Sequence, residues 1–255
     1  LATCMWTKNN SIEEMTMDTN LKKLFKDTQD FQNVFEVEVP EQVQQRLKCN
    51  IDFVDEMHGE GFVPGTVTLF TGDSGAGKST LSMQIADGFA AQNITTAYNS
   101  SEQHVSQIKK TVDRLGLGYP FYVSNSNNFD NVIRQCKQNN VKVLFIDSLQ
   151  TIGCGKYDPD TGKAKGLIIQ KAIEFAQQTF SIVFIVGHVT KNGQFAGKNS
   201  YKHMVDVHLH MKLCINESCL SCAPGTRTLT VQKNRWSVSN ISKQLMLWPD
   251  GFKTI

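Results

Sequence analysis

The first 44 residues mix polar and apolar positions without a sustained period, whereas from about Arg46 onward apolar runs alternate with helical patterns. In the opening stretch only Ile12–Phe31 has the spacing of an amphipathic helix. Residues 1–44 are therefore expected to form an extension, partly flexible or subunit-linking, ahead of a core over 45–255. Thr66–Thr71 is an apolar strand that runs straight into a glycine-rich loop, and a helix follows with Leu81, Ile85, Ala86 and Phe89 at helical spacing. The pattern next predicts a strand over Ile94–Asn99, a helix over Glu102–Leu115, a short strand at Phe121–Val123 and a helix over Asn128–Gln138. Val141–Ile146 and Ser181–Val186 are continuous apolar runs with the helix Gly166–Thr179 between them. Such runs fit strands buried on both faces of a parallel sheet.

After Tyr201 the period changes to two. Val205, Val207, Leu209, Met211 and Leu213 share one face, and Asp206, His208, His210 and Lys212 share the other. Arg227–Gln232 and Gln244–Trp248 are expected as two further strands. The predicted class is α/β, a mostly parallel central sheet flanked by helices with an antiparallel C-terminal extension.

Composition narrows the setting. With 255 residues, 40% hydrophobic and 20% charged, the chain can bury a core of one generous domain. No apolar run approaches the ~20 residues needed to cross a bilayer, and no basic-then-apolar leader opens the sequence, so the expected compartment is the cytoplasm. Seven cysteines, four of them scattered (Cys4, Cys49, Cys136, Cys154), fit reduced thiols better than a disulfide scaffold. The net charge of +2 is uninformative, but its distribution is not: residues 11–60 carry twelve acids against five bases, and 151–202 carry seven lysines against three acids. A basic surface in the second half is one consequence; lysines in solvated loops are the plainer alternative.

Gly72-x4-Gly77-Lys78-Ser79 is a complete phosphate-binding pattern. Over Gly72, Asp73, Ser74, Gly75, Ala76, Gly77, Lys78, Ser79 and Thr80 the glycines let backbone N–H groups curl around a phosphate, and the following helix offers its positive end. Lys78 is expected to reach the β- and γ-phosphates of ATP, and Ser79 to ligand Mg²⁺. The pattern sits between a strand and a helix, as this chemistry requires. Asp147 ends the run Val141–Ile146, where a carboxylate would hold Mg²⁺ through its water shell; an ordinary strand-ending Asp is the alternative. Glu102 is the candidate for orienting the attacking water, because it follows the Ile94–Asn99 strand, which is expected beside the loop strand. A helix-start Glu capped by Ser100 or Ser101 fits those residues equally well. His188 ends the Ser181–Val186 run and is a candidate γ-phosphate sensor, though a histidine there is more often structural.

Several motifs in register go further. The stretch Gly61–Thr80, Tyr98-Asn-Ser-Ser-Glu-Gln103, Ile146-Asp-Ser-Leu-Gln-Thr-Ile152, Val186-Gly-His-Val-Thr-Lys-Asn-Gly193, His203-Met-Val-Asp206 and Lys233-Asn-Arg-Trp-Ser237 resemble, in order, the ATPase domain of the bacterial RadA (Sms) family. The similarity covers roughly Arg46 to Gly251. It implies a RecA-like P-loop NTPase related to the DnaB-type helicases, acting on single-stranded DNA as a hexameric ring or filament. It also implies that Glu102 is the catalytic base, and that Lys233 and Arg235 belong to an element inserted into a neighbouring subunit's ATP site. A cation delivered in that way can contribute about 10³–10⁵ in rate. Without the resemblance, Lys233 and Arg235 would be a basic end on an exposed strand.

The departures are specific. The family usually carries an N-terminal four-cysteine zinc finger and a C-terminal domain resembling Lon protease. Only Cys4 lies in the first region and the sequence ends at Ile255, so a minimal relative is expected. The family motif ends in Phe-Gly where Trp236-Ser237 stand here.

In RecA-like assemblies the loops after the Asp147 and His188 strands face the central axis. Here they are expected over Thr151–Gly166, with Lys156, Lys163 and Lys165, and over Lys191–Asn199, with Lys191 and Lys198. These lysines are candidate contacts to the phosphates of single-stranded DNA, with Tyr157 and Phe195 as stacking partners. Cys214-x4-Cys219-x2-Cys222, with His208 or His210, has the donors for tetrahedral zinc. The signature is incomplete, however, and the expectation leans to free cysteines in a hairpin. Three functions follow as alternatives: a DNA-stimulated ATPase motor, which the Lys-Asn-Arg motif favours, a strand-exchange recombinase, and a nucleotide-gated oligomeric scaffold.

Overall fold

Continuous apolar strands set the centre of the structure. The computed structural model describes residues 31, 33–155, 157, 161–188, 200–214 and 225–255. Strands β1 (Val67–Gly72), β4 (Val143–Asp147) and β5 (Ile182–His188) are buried almost throughout, as expected of strands covered on both faces. They join β2 (Thr96–Ser100), β3 (Tyr122–Ser124) and β6 (Val207–Leu213) in a parallel sheet, which β7 (Arg227–Asn234), β8 (Ile241–Trp248) and β9 (Gly251–Thr254) extend with antiparallel pairing. The order across the nine strands is β3-β2-β4-β5-β1-β6-β7-β8-β9.

The helices cover both faces. Among them are α1 (Glu41–Gln44), α2 (Asp52–Met57), α3 (Lys78–Ala90), α4 (Val105–Leu115), α5 (Phe129–Gln138), α6 (Gly162–Thr179) and α7 (Ser200–Met204). One core packs Leu81, Ile85 and Phe89 of α3 against Phe70, Phe145, Phe184, Leu209 and Met211 of the sheet. The other packs Ile168, Ala172 and Phe175 of α6, with Phe129 and Val132 of α5, against Leu69, Leu144, Ile146 and Ile185. Caps fix the helix starts: Asn128 accepts from Asn131 N, and Thr161 accepts from Ala164 N. His104 and Gln107 form a reciprocal capping box, and Gly116, at φ 65°, closes the far end of α4.

The chain divides between Glu38 and Val39. On the N-terminal side, the described residues hold a 3-10 turn, Val34–Glu36, begun by Asn33. The helix expected over Ile12–Phe31 lies outside the described residues except for Phe31. None of the described helices is long and apolar enough to cross a membrane.

Several expectations are corrected. The Thr161 cap starts α6 at Gly162 rather than Gly166, so Lys163 and Lys165 lie in its first turn and not in a loop. Helix α4 begins at Val105, so Glu102 is not a helix-start residue; the N–H groups of Glu102 and Gln103 donate to Ser100 Oγ in a turn. The Glu102 strand is not beside the loop strand, because β4 and β5 lie between β2 and β1. Strand β9, four residues long, was not expected.

Candidate active site

Parallel strands bring their C-terminal ends to one edge of a sheet, and in open α/β sheets ligands bind there. Here that edge carries Gly72 at the end of β1, Ser100 at the end of β2, Asp147 at the end of β4 and His188 at the end of β5. Thus Glu102 shares this edge with the loop, and its charge acts on Lys78, although its strand is three positions away in the sheet.

The phosphate loop is shaped by its backbone. Gly77 sits at φ 102° and is the N-cap of α3 with no side chain capping the helix, so the first-turn N–H groups are free to face an anion. A Cβ on Gly77 would also meet the Phe252 ring at 2.5 Å, and one on Gly72 would meet Met211 O at 2.2 Å. The loop is held from outside by three strands. Asp73 Oδ2 accepts from Leu213 N at 3.0 Å, Arg227 Nε donates to Ala76 O at 3.2 Å, and Phe252 packs on Gly77.

Lys78 Nζ donates to Gly72 O and Asp73 O at 2.9 and 2.8 Å. Burial pushes its pKa down, opposed by the carboxylates of Asp147, Asp73 and Glu102. Ser79 Oγ donates to Asp147 Oδ2 at 2.6 Å, and Tyr98 OH donates to the same oxygen at 2.6 Å. Glu102 Oε1 accepts from His188 Nε2 at 3.1 Å and from Ser148 Oγ. The His188 bond, ahead of the Ser148 bond, holds its carboxyl below the ordinary carboxylate range, against a burial effect of opposite sign. Ser148 follows Asp147 across a cis peptide.

The arrangement suits a Mg²⁺-bound nucleotide. A hydroxyl and a carboxylate, hard oxygen donors, already touch beside a buried lysine and an uncapped helix start, the donor type that Mg²⁺ takes alongside phosphate. Ser79 and Asp147 are the residues that would hold it.

Lys233 and Arg235 lie elsewhere. Val207, at the start of β6, pairs with Thr68 of β1 on one side and Asn234 of β7 on the other, whereas Gly72 pairs with Met211. The two cations are therefore at the opposite end of the strands from the loop, at least about 13 Å along the sheet at ~3.3 Å per residue. Lys233 Nζ donates to the carbonyls of Lys202, His203 and Val205, and Arg235 pairs with Asp206 at 3.1 Å. Asp206 in turn accepts from Val67 N at 3.0 Å. Neither cation can serve its own chain's loop.

Of the candidate DNA contacts, Lys163 is exposed and Lys165 half-buried. Lys156, Lys191, Lys198 and Phe195 lie outside the described residues, and Tyr157 is 42% exposed. Zinc is not supported. Cys214 is in a disulfide, so the expected reduced thiol is not found there, and Cys219 and Cys222 lie outside the described residues. On the polar face of β6, His208 is buried and His210 half-buried, and both bond Thr71 Oγ1, at 2.8 and 3.0 Å. Among the described residues no group of three or more His, Cys, Asp or Glu could hold a metal ion.

Tyr98, Ser148, Arg227 and Phe252 were missed by sequence reasoning. Tyr98 and Ser148 stand inside motifs that carried the resemblance, but only their acidic neighbours were assigned chemistry. No sequence signal marks Arg227 or Phe252.

A protein-family model described as AAA domain matches residues 36–194, more than half of the chain. The DNA repair protein RadA of Mycobacterium tuberculosis (strain CDC 1551 / Oshkosh) is 35% identical over 167 residues, which are 64% of this chain and 35% of that protein. The DNA repair protein RadA of Chlamydia pneumoniae is 31% identical over 208 residues, 79% of this chain and 44% of its own length. This chain thus spans less than half the length of these relatives. The KaiC-like protein PH0186 from Pyrococcus horikoshii OT3 has the same fold, with a TM-score of 0.66 at 18% identity, covering 83% of this chain and 99% of that one. The RadB recombinase gives a TM-score of 0.62 at 17% identity, covering 82% and 99%. The chain belongs to this AAA-domain family, and its core is a RecA-like ATPase domain of the RadA (Sms) type.

Proposed function

We propose that the protein is an ATP-dependent motor of RadA type that binds single-stranded DNA in recombination and repair. It works as a homo-oligomer, ring or filament, with ATP sites between subunits. The observation that carries this reading is one relationship: Lys78, Ser79, Asp147 and Glu102 converge at one end of the sheet, and Lys233 and Arg235 stand at the other. A head-to-tail assembly would bring the two ends together. The RadA relatives, named as DNA repair proteins, support the DNA substrate.

In this mechanism the N–H groups of Gly72–Thr80 and of the uncapped start of α3 cradle the phosphates, and Lys78 spans the β- and γ-phosphates. Ser79 and Asp147 would hold Mg²⁺, which would supply positive charge against the negative charge that builds on the transferred group. Glu102, kept ionised by its hydrogen bonds, orients the attacking water and takes its proton. Lys233 and Arg235 of the neighbour complete the pocket, which ties hydrolysis to assembly. His188 carries the state of the γ-phosphate toward the segment bearing Lys191 and Lys198, which bind DNA phosphates together with Lys156, Lys163 and Lys165.

ATP turnover with and without single-stranded DNA tests the proposal. The motor reading expects turnover that rises with DNA, and unwinding of forked duplexes. Slow turnover indifferent to DNA would favour the scaffold, and strand exchange without unwinding would favour the recombinase.

A further inference from the structure

Tyr98 is nearly wholly buried, yet its hydroxyl has chosen a charged partner. A buried phenol that finds no acceptor is costly, and the core around it would accept phenylalanine. Its ring is one rung of an aromatic row laid across three parallel strands: Tyr98 is in register with Phe145 of β4, and Phe145 with Phe184 of β5. Tyr98 and Phe145 stack with centroids 6.0 Å apart, and Phe145 and Phe184 at 4.5 Å with planes 5° apart. Phe62 closes the row edge-on against Phe184. The row leaves the ring little freedom, so the hydroxyl is held at the end of β4.

What it meets there is specific. Tyr98 OH and Ser79 Oγ both donate to Oδ2 of Asp147 at 2.6 Å, a length typical of hydrogen bonds to a charged oxygen. Both described hydrogen bonds of the Asp147 side chain thus fall on one oxygen, which leaves Oδ1 for another partner. Burial and the Asp147 charge keep the phenol a donor, its pKa well above the ordinary value.

We propose that Tyr98 is a positioning residue for Mg²⁺: with Ser79 it fixes Oδ2 of Asp147, so that Oδ1 is presented in one orientation to the metal's water shell. This rests on the nucleotide-binding reading above. Mg²⁺ demands near-ideal octahedral geometry whereas Ca²⁺ tolerates irregular sites, so a fixed carboxylate selects for Mg²⁺. The inference accounts for a tyrosine where apolar packing alone would take phenylalanine.

Binding of a fluorescent ATP analogue to the full chain, titrated with Mg²⁺ or Ca²⁺ and without hydrolysis, tests it. Tyr98→Phe is expected to raise the half-saturating Mg²⁺ about tenfold, as loss of one charge-assisted bond implies. It should move the Ca²⁺ requirement less and leave metal-free affinity unchanged. In an Asp147→Asn background the same change should have no further effect on Mg²⁺. Phe145→Leu, which loosens the aromatic row but keeps the hydroxyl, should lower the melting temperature without that shift. Should Tyr98→Phe fold poorly, Tyr98→Met fills the space with a flexible apolar chain and carries the same expectation. An unchanged Mg²⁺ requirement in a folded Tyr98 variant, or an equal shift in Phe145→Leu, overturns the proposal while leaving the ATPase reading intact. A wild-type chain that binds no nucleotide overturns both.

Discussion

His188 Nε2 lies 3.1 Å from Glu102 Oε1, joining the last residue of β5 to the carboxylate that follows β2. The two strands are separated in the sheet by β4, and Ser148, just after β4, donates to the same oxygen. The candidate base is thus held from two strands at once. Any movement of the His188 backbone changes the carboxylate's hydrogen bonding, which is a physical route from the segment after β5 to the attacking water.

Glu102→Gln is expected to keep ATP binding and to slow hydrolysis by at least about 10², the scale of a lost general base. Lys78→Ala should instead lose tight nucleotide binding. Equilibrium binding of ATP alongside single-turnover hydrolysis separates the two, and a Glu102→Gln variant that turns over normally would return this residue to a structural role.

His188→Ala frees Glu102 Oε1 of one partner and raises its carboxyl pKa toward the ordinary range, since that bond is the largest cause of its depression. Nucleotide affinity should be unchanged while stimulation of turnover by single-stranded DNA is lost. Equal stimulation in wild type and variant would exclude His188 as the link.

Lys163→Ala combined with Lys198→Ala should weaken single-stranded DNA binding. It should also flatten the log–log salt dependence by about 0.7 for each phosphate contact removed. Salt titration of DNA affinity reads both. Lys163 now stands in the first turn of α6 rather than in a loop, where its exposed side chain still projects from the helix start.

Stability should fall on mild acidification. Burial lowers His58 to a pKa of about 4 and His208 to about 3, so both are neutral in the folded chain. His58 Nδ1 donates to Val54 O at 2.7 Å, and its Nε2 is buried without a partner. The unfolded chain binds these protons as pH drops through ~6.5, whereas the folded chain does not, so stability is complete above that pH. It is then lost progressively down to about 4 for His58 and about 3 for His208. The combined loss is on the order of several kcal/mol at about 1.4 kcal/mol per pKa unit. Urea unfolding at pH 7.5, 6 and 5 measures it, and His58→Asn should flatten the slope.

Much of this was legible because local pattern encodes it. Strands β1, β4 and β5 show as continuous apolar runs since they are covered on both sides, and the loop residues Gly72 to Thr80 are fixed by phosphate chemistry. Lys78, Ser79 and Asp147 do come together as the motifs implied. Sheet order is not a local property: nothing in Ile94–Asn99 says that β4 and β5 will stand between it and the loop strand. The role of Lys233 toward the carbonyls of α7 and Val205 depends on a register between β6 and β7 that spacing cannot supply. Tyr98 and Ser148 were overlooked for a different reason. A buried, uncharged hydroxyl, in a strand at Tyr98 or just past one at Ser148, carries no sign of its role until its acceptor is known.

Mixing subunits tests the central claim most directly. Arg235→Ala and Lys78→Ala should each lose about 10³ in ATP turnover, the scale of a missing cation or phosphate contact. A mixed assembly pairs an intact Lys78 loop on one subunit with an intact Arg235 on the next. Turnover in the mixture well above either variant alone is the expected result. An assembled mixture as inactive as its parts would contradict an ATP site completed between neighbours.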